Sequence, residues 1–160
     1  MTTRDAGWRA TGALRRSVVL GAGGLAAAVA LGEPAVLVLT VPLLLVSLPA
    51  ALRRPTTTPL VETSSAQASL REGEGVSLDL AVHDDGDVEQ VTRVVLPQPL
   101  LVARPDRGRS VTWWPVPHQV EVSPRRWGVV TVAERVALTS AWSGFRWGPV
   151  SPAERPLTVL

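Results

Sequence analysis

Two long apolar runs open the chain, Ser17 to Leu31 and Ala35 to Leu52, joined only by Gly32-Glu33-Pro34. Arginine pairs bracket them, Arg15-Arg16 on one side and Arg53-Arg54 on the other. Continuous apolar runs with basic flanks and a three-residue connection predict a membrane hairpin of two helices. At a helical rise of about 1.5 Å per residue the runs span roughly 22 and 27 Å, a little short of a hydrocarbon core of about 30 Å, so thinning or arginine snorkelling is expected. Small residues recur at four-residue spacing, Gly23 with Ala27 and Gly24 with Ala28, which lets a second helix approach closely. Pro42 and Pro49 free backbone groups and so predict a kinked second helix packed on its partner, with a shallow re-entrant hairpin as the alternative.

After Arg54 the pattern changes. Pro55-Thr56-Thr57-Thr58-Pro59 reads as an extended linker. From Leu60 onward short alternating segments are punctuated by Gly, Pro and Asp, which is a strand rhythm. The clearest is Gly75 to His83, with Val76, Leu78, Leu80 and Val82 on one face. Further strands are expected at 66–70, 90–96, 100–103, 110–114, 119–122, 127–132, 135–142 and 156–160. The organisation is thus a basic arm (1–16), a hairpin (17–52), a linker (53–59) and a β-domain (60–160), and the fold class is a membrane α-hairpin plus an all-β, immunoglobulin-like antiparallel sandwich.

Charge orients the hairpin. Residues 1 to 54 hold six arginines against Asp5 and Glu33, a balance of +4, while the rest holds ten arginines against twelve carboxylates, a balance of −2. Basic flanks stay on the cytoplasmic side, so both ends and the β-domain are expected in the cytoplasm, in a cell-membrane protein of two spans. The alternative is export: Arg15-Arg16-Ser17-Val18-Val19-Leu20 resembles a twin-arginine signal, which would make the chain an exported, envelope-binding sandwich. A second, more apolar run ending in another arginine pair opposes it. All sixteen basic residues are arginine, a bias we ascribe to a GC-rich genome, and no nucleic-acid ligand is expected. The absence of cysteine removes disulfides, thiolate metal sites and cysteine nucleophiles.

Chemistry-bearing motifs are few. His83-Asp84-Asp85-Gly86-Asp87 lacks the spacing and downstream glutamate of a calcium loop and reads as a turn. His83 and His118 are the two histidines, too few for a zinc site or a triad. Gly21-Ala22-Gly23-Gly24 follows no strand and has no Gly-Lys-Ser/Thr ending, so it serves helix packing. No catalytic residue, cofactor, metal or small-molecule substrate is expected, and the chain reads as a non-enzyme. Among six tryptophans, Trp142 shares a strand face with Val136 and Leu138 and is a core candidate, whereas the neighbours Trp113 and Trp114 must face opposite ways. Arg104, Arg107, Arg109, Trp113, Arg125, Arg126 and Trp127 form a candidate basic, aromatic partner surface, set against the alternative of solvated loops over a core rim.

The layout resembles a family. The arginine-flanked hairpin, the Pro-Thr linker, Arg71-Glu72-Gly73-Glu74-Gly75-Val76 and the Ser123-Pro124-Arg125-Arg126-Trp127-Gly128 turn are similar to the amino-terminal part of the bacterial family called domain of unknown function 58. Where many relatives read Asp-Pro-Phe-Gly-Leu, this chain has Ser143-Gly144-Phe145-Arg146-Trp147-Gly148. The resemblance implies that Pro156 to Leu160 is the strand preceding a von Willebrand type A-like module, and with none of that module in these 160 residues the chain is expected to be either a truncated relative or a fragment. It also implies a membrane-anchored scaffold whose partners are the lipid bilayer and a cytoplasmic MoxR-type AAA+ ATPase, acting in protein assembly or maturation.

Overall fold

A computed structural model describes residues 7–65, 67, 69–84 and 86–160. Two helices, α1 (Gly12–Leu31) and α2 (Ala35–Leu52), are followed by a β-domain of packed, largely antiparallel sheets. Both helices are long and apolar enough to cross a membrane. The first starts five residues before the apolar run: Thr11 is its N-cap, with the Thr11 hydroxyl accepting from the Leu14 N–H at 3.2 Å. Arg15 and Arg16 are therefore inside α1, whose length rises to about 30 Å while its apolar run still starts at Ser17. Gly32 closes α1 in the left-handed conformation (φ 63°), where a β-carbon would be disfavoured, and its N–H returns to the Ala28 and Val29 carbonyls.

The seam between the helices inverts the pattern of a soluble protein. Leu14, Gly21 and Ala28 of α1 and Thr40, Ser47 and Ala50 of α2 are buried, while Val19, Leu20, Val29, Val38, Leu39 and Leu45 are exposed. Small and weakly polar side chains pack inward and large apolar ones face out, the arrangement lipid favours. A β-carbon on Gly21 would sit 2.6 Å from Leu44 Cδ2, and one on Gly24 would overlap Thr40 Cγ2. Gly24 and Ala28 thus line the seam as expected, whereas Gly23 faces open space. Pro42 and Pro49 are accommodated within α2.

Twelve strands follow from the described residues: β1 (Arg9–Ala10), β2 (Leu60–Ser65), β3 (Ser69–Leu70), β4 (Val76–His83), β5 (Val88–Val95), β6 (Leu101–Arg104), β7 (Arg109–Trp113), β8 (His118–Pro124), β9 (Gly128–Val132), β10 (Glu134–Ser140), β11 (Phe145–Val150) and β12 (Arg155–Val159). One sheet runs β1-β11-β10-β5-β7, a facing sheet runs β2-β4-β8-β6, and a small sheet β3-β12-β9 extends the far end. The pairs are antiparallel except β3 with β12, which is parallel. The alternating face of β4 is buried as the pattern predicts. Strands β1, β2 and β11 were not foreseen: β11 carries Gly148 and Pro149, residues that are uncommon inside strands, and β1 is two residues long. Ala66, at the start of one expected strand, and Asp85 lie outside the described residues.

Two connections carry tertiary contacts. In the basic arm, Arg9 and Ala10 pair with Arg146 and Phe145 as an edge strand. The linker is extended but pinned: Trp8 Nε1 donates to the Thr57 carbonyl at 2.8 Å, the Thr57 hydroxyl donates to Asp87 at 3.2 Å, and Pro55 and Pro59 are buried. A small cluster of Leu14, Ala50 and Phe145 then seats the sandwich on the hairpin. At Gly144 a β-carbon would lie 3.1 Å from the Ala50 carbonyl oxygen, so the approach is close.

Inside the sandwich, one apolar cluster (Val61, Leu80, Val82, Val91, Leu138, Trp147 and neighbours) lies at the hairpin end and a second (Leu70, Val76, Leu78, Val95, Val122, Leu157 and neighbours) at the far end. Trp142 is not in either. It is 56 % exposed with φ 59°, because β10 stops at Ser140 and the chain turns through a short 3-10 segment, Ala141–Ser143. The tryptophan that fills the core is Trp147, 1 % exposed, on β11.

Candidate functional site

The partner surface expected from sequence divides into two places. Strand β10 descends from Glu134 to Ser140, next to the turn that touches α2, so Ser140 and its partner Val88 mark the hairpin end, and Glu134 with its partner Val95 the far end. Arg109 pairs with Val94 at the far end, and Trp113 pairs with Gln90 at the hairpin end. Four residues of extended chain separate these two side chains by about 13 Å. Trp113 is therefore removed from the other members of the set.

The far-end members do converge. Arg107 and Arg125 line one groove of about 300 Å³ together with Val95, Pro97, Pro99 and Leu101. The segment Asp106–Gly108 forms its margin, with Asp106 and Arg107 both at positive φ (42° and 57°). Gly108 is required there: its φ is 84°, and a β-carbon would come within 2.8 Å of both Ala103 Cβ and Val95 Cβ. The second arginine is held by its backbone, the Arg125 N–H donating to the Leu100 carbonyl at 2.8 Å. Arg126 and Trp127 continue the same turn, and Trp127 is 80 % exposed. Arg104 pairs in register with Glu121, so its charge has a carboxylate across the ladder. The result is a largely apolar groove with Pro97 and Pro99 in its wall and two arginines, Arg107 and Arg125, among its lining residues.

Sequence reasoning missed a buried polar layer between the two apolar clusters. Arg93 on β5, fully buried, faces inward between Val91 and Val95, and its Nε donates to Glu134 Oε2 at 2.5 Å. Its Nη1 donates to the Leu78 carbonyl at 2.7 Å, Thr63 hydrogen-bonds the other Glu134 oxygen, and Arg155 reaches the Thr63 carbonyl. The alternation Val91, Arg93, Val95 was the available signal, since the arginine takes a core position in a strict period of two. His118 closes the layer, its Nδ1 3.4 Å from the Ser110 hydroxyl and its Nε2 without a hydrogen-bond partner among the described residues. Burial and the nearby Arg93 charge lower its pKa, opposed by a hydrogen bond with the Thr112 backbone. The layer joins both sheets, and Thr63 and Arg155 at its edge line a surface groove with Glu62 and Pro152.

After His83, at the end of β4, Asp84 and Asp87 are both held by hydrogen bonds. Asp84 Oδ2 accepts from the Val88 N–H at 2.7 Å and Asp87 is engaged by Thr57. Among the described residues no group of three or more His, Cys, Asp or Glu side chains is arranged to hold a metal.

No family model matches the chain, and no curated protein does. Among solved structures, the chain is similar to a lipoprotein from Bacteroides thetaiotaomicron at 13 % identity and a TM-score of 0.38, over 62 % of this chain and 82 % of that one. It is also similar to macromomycin at 15 % identity and a TM-score of 0.30, over 63 % of this chain and 100 % of the other.

Proposed function

We propose that the chain is a membrane-anchored, non-enzymatic interaction module that offers its far-end groove to a cytoplasmic partner. The observation that carries this reading is the convergence of Arg107 and Arg125 on one apolar groove at the end of the sandwich remote from the hairpin. A rigid seat on the hairpin would hold that groove away from the bilayer and open to soluble proteins. The resemblance to the domain of unknown function 58 family supports a MoxR-type AAA+ ATPase as that partner, in protein assembly or maturation, and supports an immunoglobulin-like origin for the sandwich. Basic flanks at Arg15, Arg16, Arg53 and Arg54 support a cytoplasmic orientation of both chain ends. The export reading is weakened because Leu14 packs against the sandwich, so the first helix is integral to the fold.

Two experiments test the proposal. Reporter fusions after Gly32 and after Leu160 are expected to report an external turn and a cytoplasmic carboxy terminus; an external Leu160 would overturn the orientation and revive the envelope-binding alternative. Photo-crosslinkers at Arg125 and at Trp142 in membranes containing a MoxR-type ATPase are expected to capture the ATPase from the first position only. Equal capture from both would remove the groove as the docking site.

A further inference from the structure

The rim of the sandwich beside the helix ends has its own charge pattern. Arg9 and Arg146 face each other across the β1-β11 pair, both exposed. Like charges directly opposite on a sheet are destabilising. Neither forms an ion pair with a carboxylate among the described residues. The same cross-strand row continues through Thr139 and Gln90 to the exposed Trp113, a span of four strand spacings, about 19 Å. Arg15, Arg16, Arg53 and Arg54 are exposed beside it at the helix ends.

A second, independent observation is the turn that follows β10. Trp142 and Ser143 both hold positive φ (59° and 52°), a conformation that costs energy in residues with a β-carbon. Thr11 secures it, its N–H donating to the Gly144 carbonyl at 3.0 Å and its hydroxyl to the Ser143 carbonyl at 2.8 Å. The strained turn holds a large indole out of the core, next to the end of a lipid-length helix. Among the carboxylates at this end, Asp84 and Asp87 lie at the β4-β5 turn and are already hydrogen-bonded, Glu89 follows on β5, about 14 Å or three strand spacings from β1, and Glu62 is on β2 of the facing sheet.

We infer that this rim is a docking face for the anionic headgroups of the leaflet that holds the hairpin, with Arg9 and Arg146 sharing lipid phosphate and Trp142 and Trp113 seated at the membrane interface. Tryptophan prefers that depth because its ring is apolar and its N–H is polar. Arginine binds phosphate through its fork of donors, which relieves the Arg9–Arg146 repulsion. The inference rests on the anchoring part of the proposed function, not on its partner.

The chain has no cysteine, so Trp142→Cys and, as the far-end control, Trp127→Cys each allow a single fluorescent label. The full chain is reconstituted in vesicles of phosphatidylcholine alone, or with one part in four phosphatidylglycerol, containing headgroup-quencher lipid, and carbonate extraction is run in parallel. The label at 142 is expected to be quenched, more strongly with phosphatidylglycerol, and the label at 127 to stay unquenched. With the label at 142, Arg9→Gln with Arg146→Gln is expected to weaken the phosphatidylglycerol-dependent part by roughly fivefold per arginine while carbonate resistance is retained. Equal, weak quenching at 142 and 127 in a carbonate-resistant protein would overturn the docking face and leave the anchor standing. Release by carbonate would overturn the anchor, and this inference with it.

Discussion

The hydroxyl of Thr11 donates to the carbonyl of Ser143 at 2.8 Å, joining residues 132 positions apart, and the same oxygen accepts from the Leu14 N–H as the cap of α1. One side chain thus starts the first helix and ties it to the turn after β10. Thr11→Val keeps the shape and loses both bonds. The expected cost is about 1 to 2 kcal/mol, read as a lower unfolding temperature in detergent and faster amide exchange at Gly144. An unchanged exchange rate would mean that the joint is held by packing alone.

Arg93 and Glu134 form a buried ion pair in a layer that crosses the core. Removing one partner leaves a desolvated charge. Arg93→Met alone is expected to cost about 3 to 5 kcal/mol in thermal or denaturant unfolding. Arg93→Met with Glu134→Leu is expected to recover most of that loss, because an apolar pair of similar volume needs no compensating charge. Equal destabilisation in the single and double variants would show that the Thr63, Leu78 and Arg155 contacts matter more than the pair.

His118 has its pKa lowered from the ordinary value near 6.5 by burial and by Arg93. A depressed folded-state pKa means that the unfolded chain binds the proton first as pH falls. The neutral ring therefore contributes stability above about pH 6.5, and that contribution is lost as pH falls toward and through the folded value. The unfolding temperature is expected to drop across this window, and His118→Gln to flatten the profile there. An equally steep profile in the variant would assign the acid sensitivity to carboxylates.

Trp142 and Trp147 are expected to respond oppositely to truncation. Trp147→Ala empties the hairpin-end core cluster and should cost about 3 to 5 kcal/mol. Trp142→Ala, at an exposed site, should change detergent-solubilised stability by less than about 0.5 kcal/mol. Comparable losses would contradict the inward and outward assignments.

Gly24 sits where a β-carbon would overlap Thr40 Cγ2. Gly24→Leu is expected to separate the helices and to lower the unfolding temperature, whereas Gly23→Leu, facing open space, should be tolerated. Disulfide trapping between α1 and α2 after paired cysteine substitutions along the seam would report the separation directly.

What local pattern could determine, it did. The apolar runs became α1 and α2, and the alternation from Val76 to Val82 became β4 with that face buried. These outcomes follow from period, length and turn chemistry, which short stretches of chain carry by themselves. Trp142 and Trp147 went the other way. Both stand near strand β10, and only the turn at Ser140, secured by Thr11 from the far end of the chain, sends one outward while β11 carries the other inward. The same holds for Arg9 pairing with Arg146, for Trp8 pinning Thr57, and for the Arg93–Glu134 layer. Each joins residues distant in sequence. Tertiary structure alone decided them, because their free energy arises from desolvation and geometry at a contact that neither segment encodes without the other.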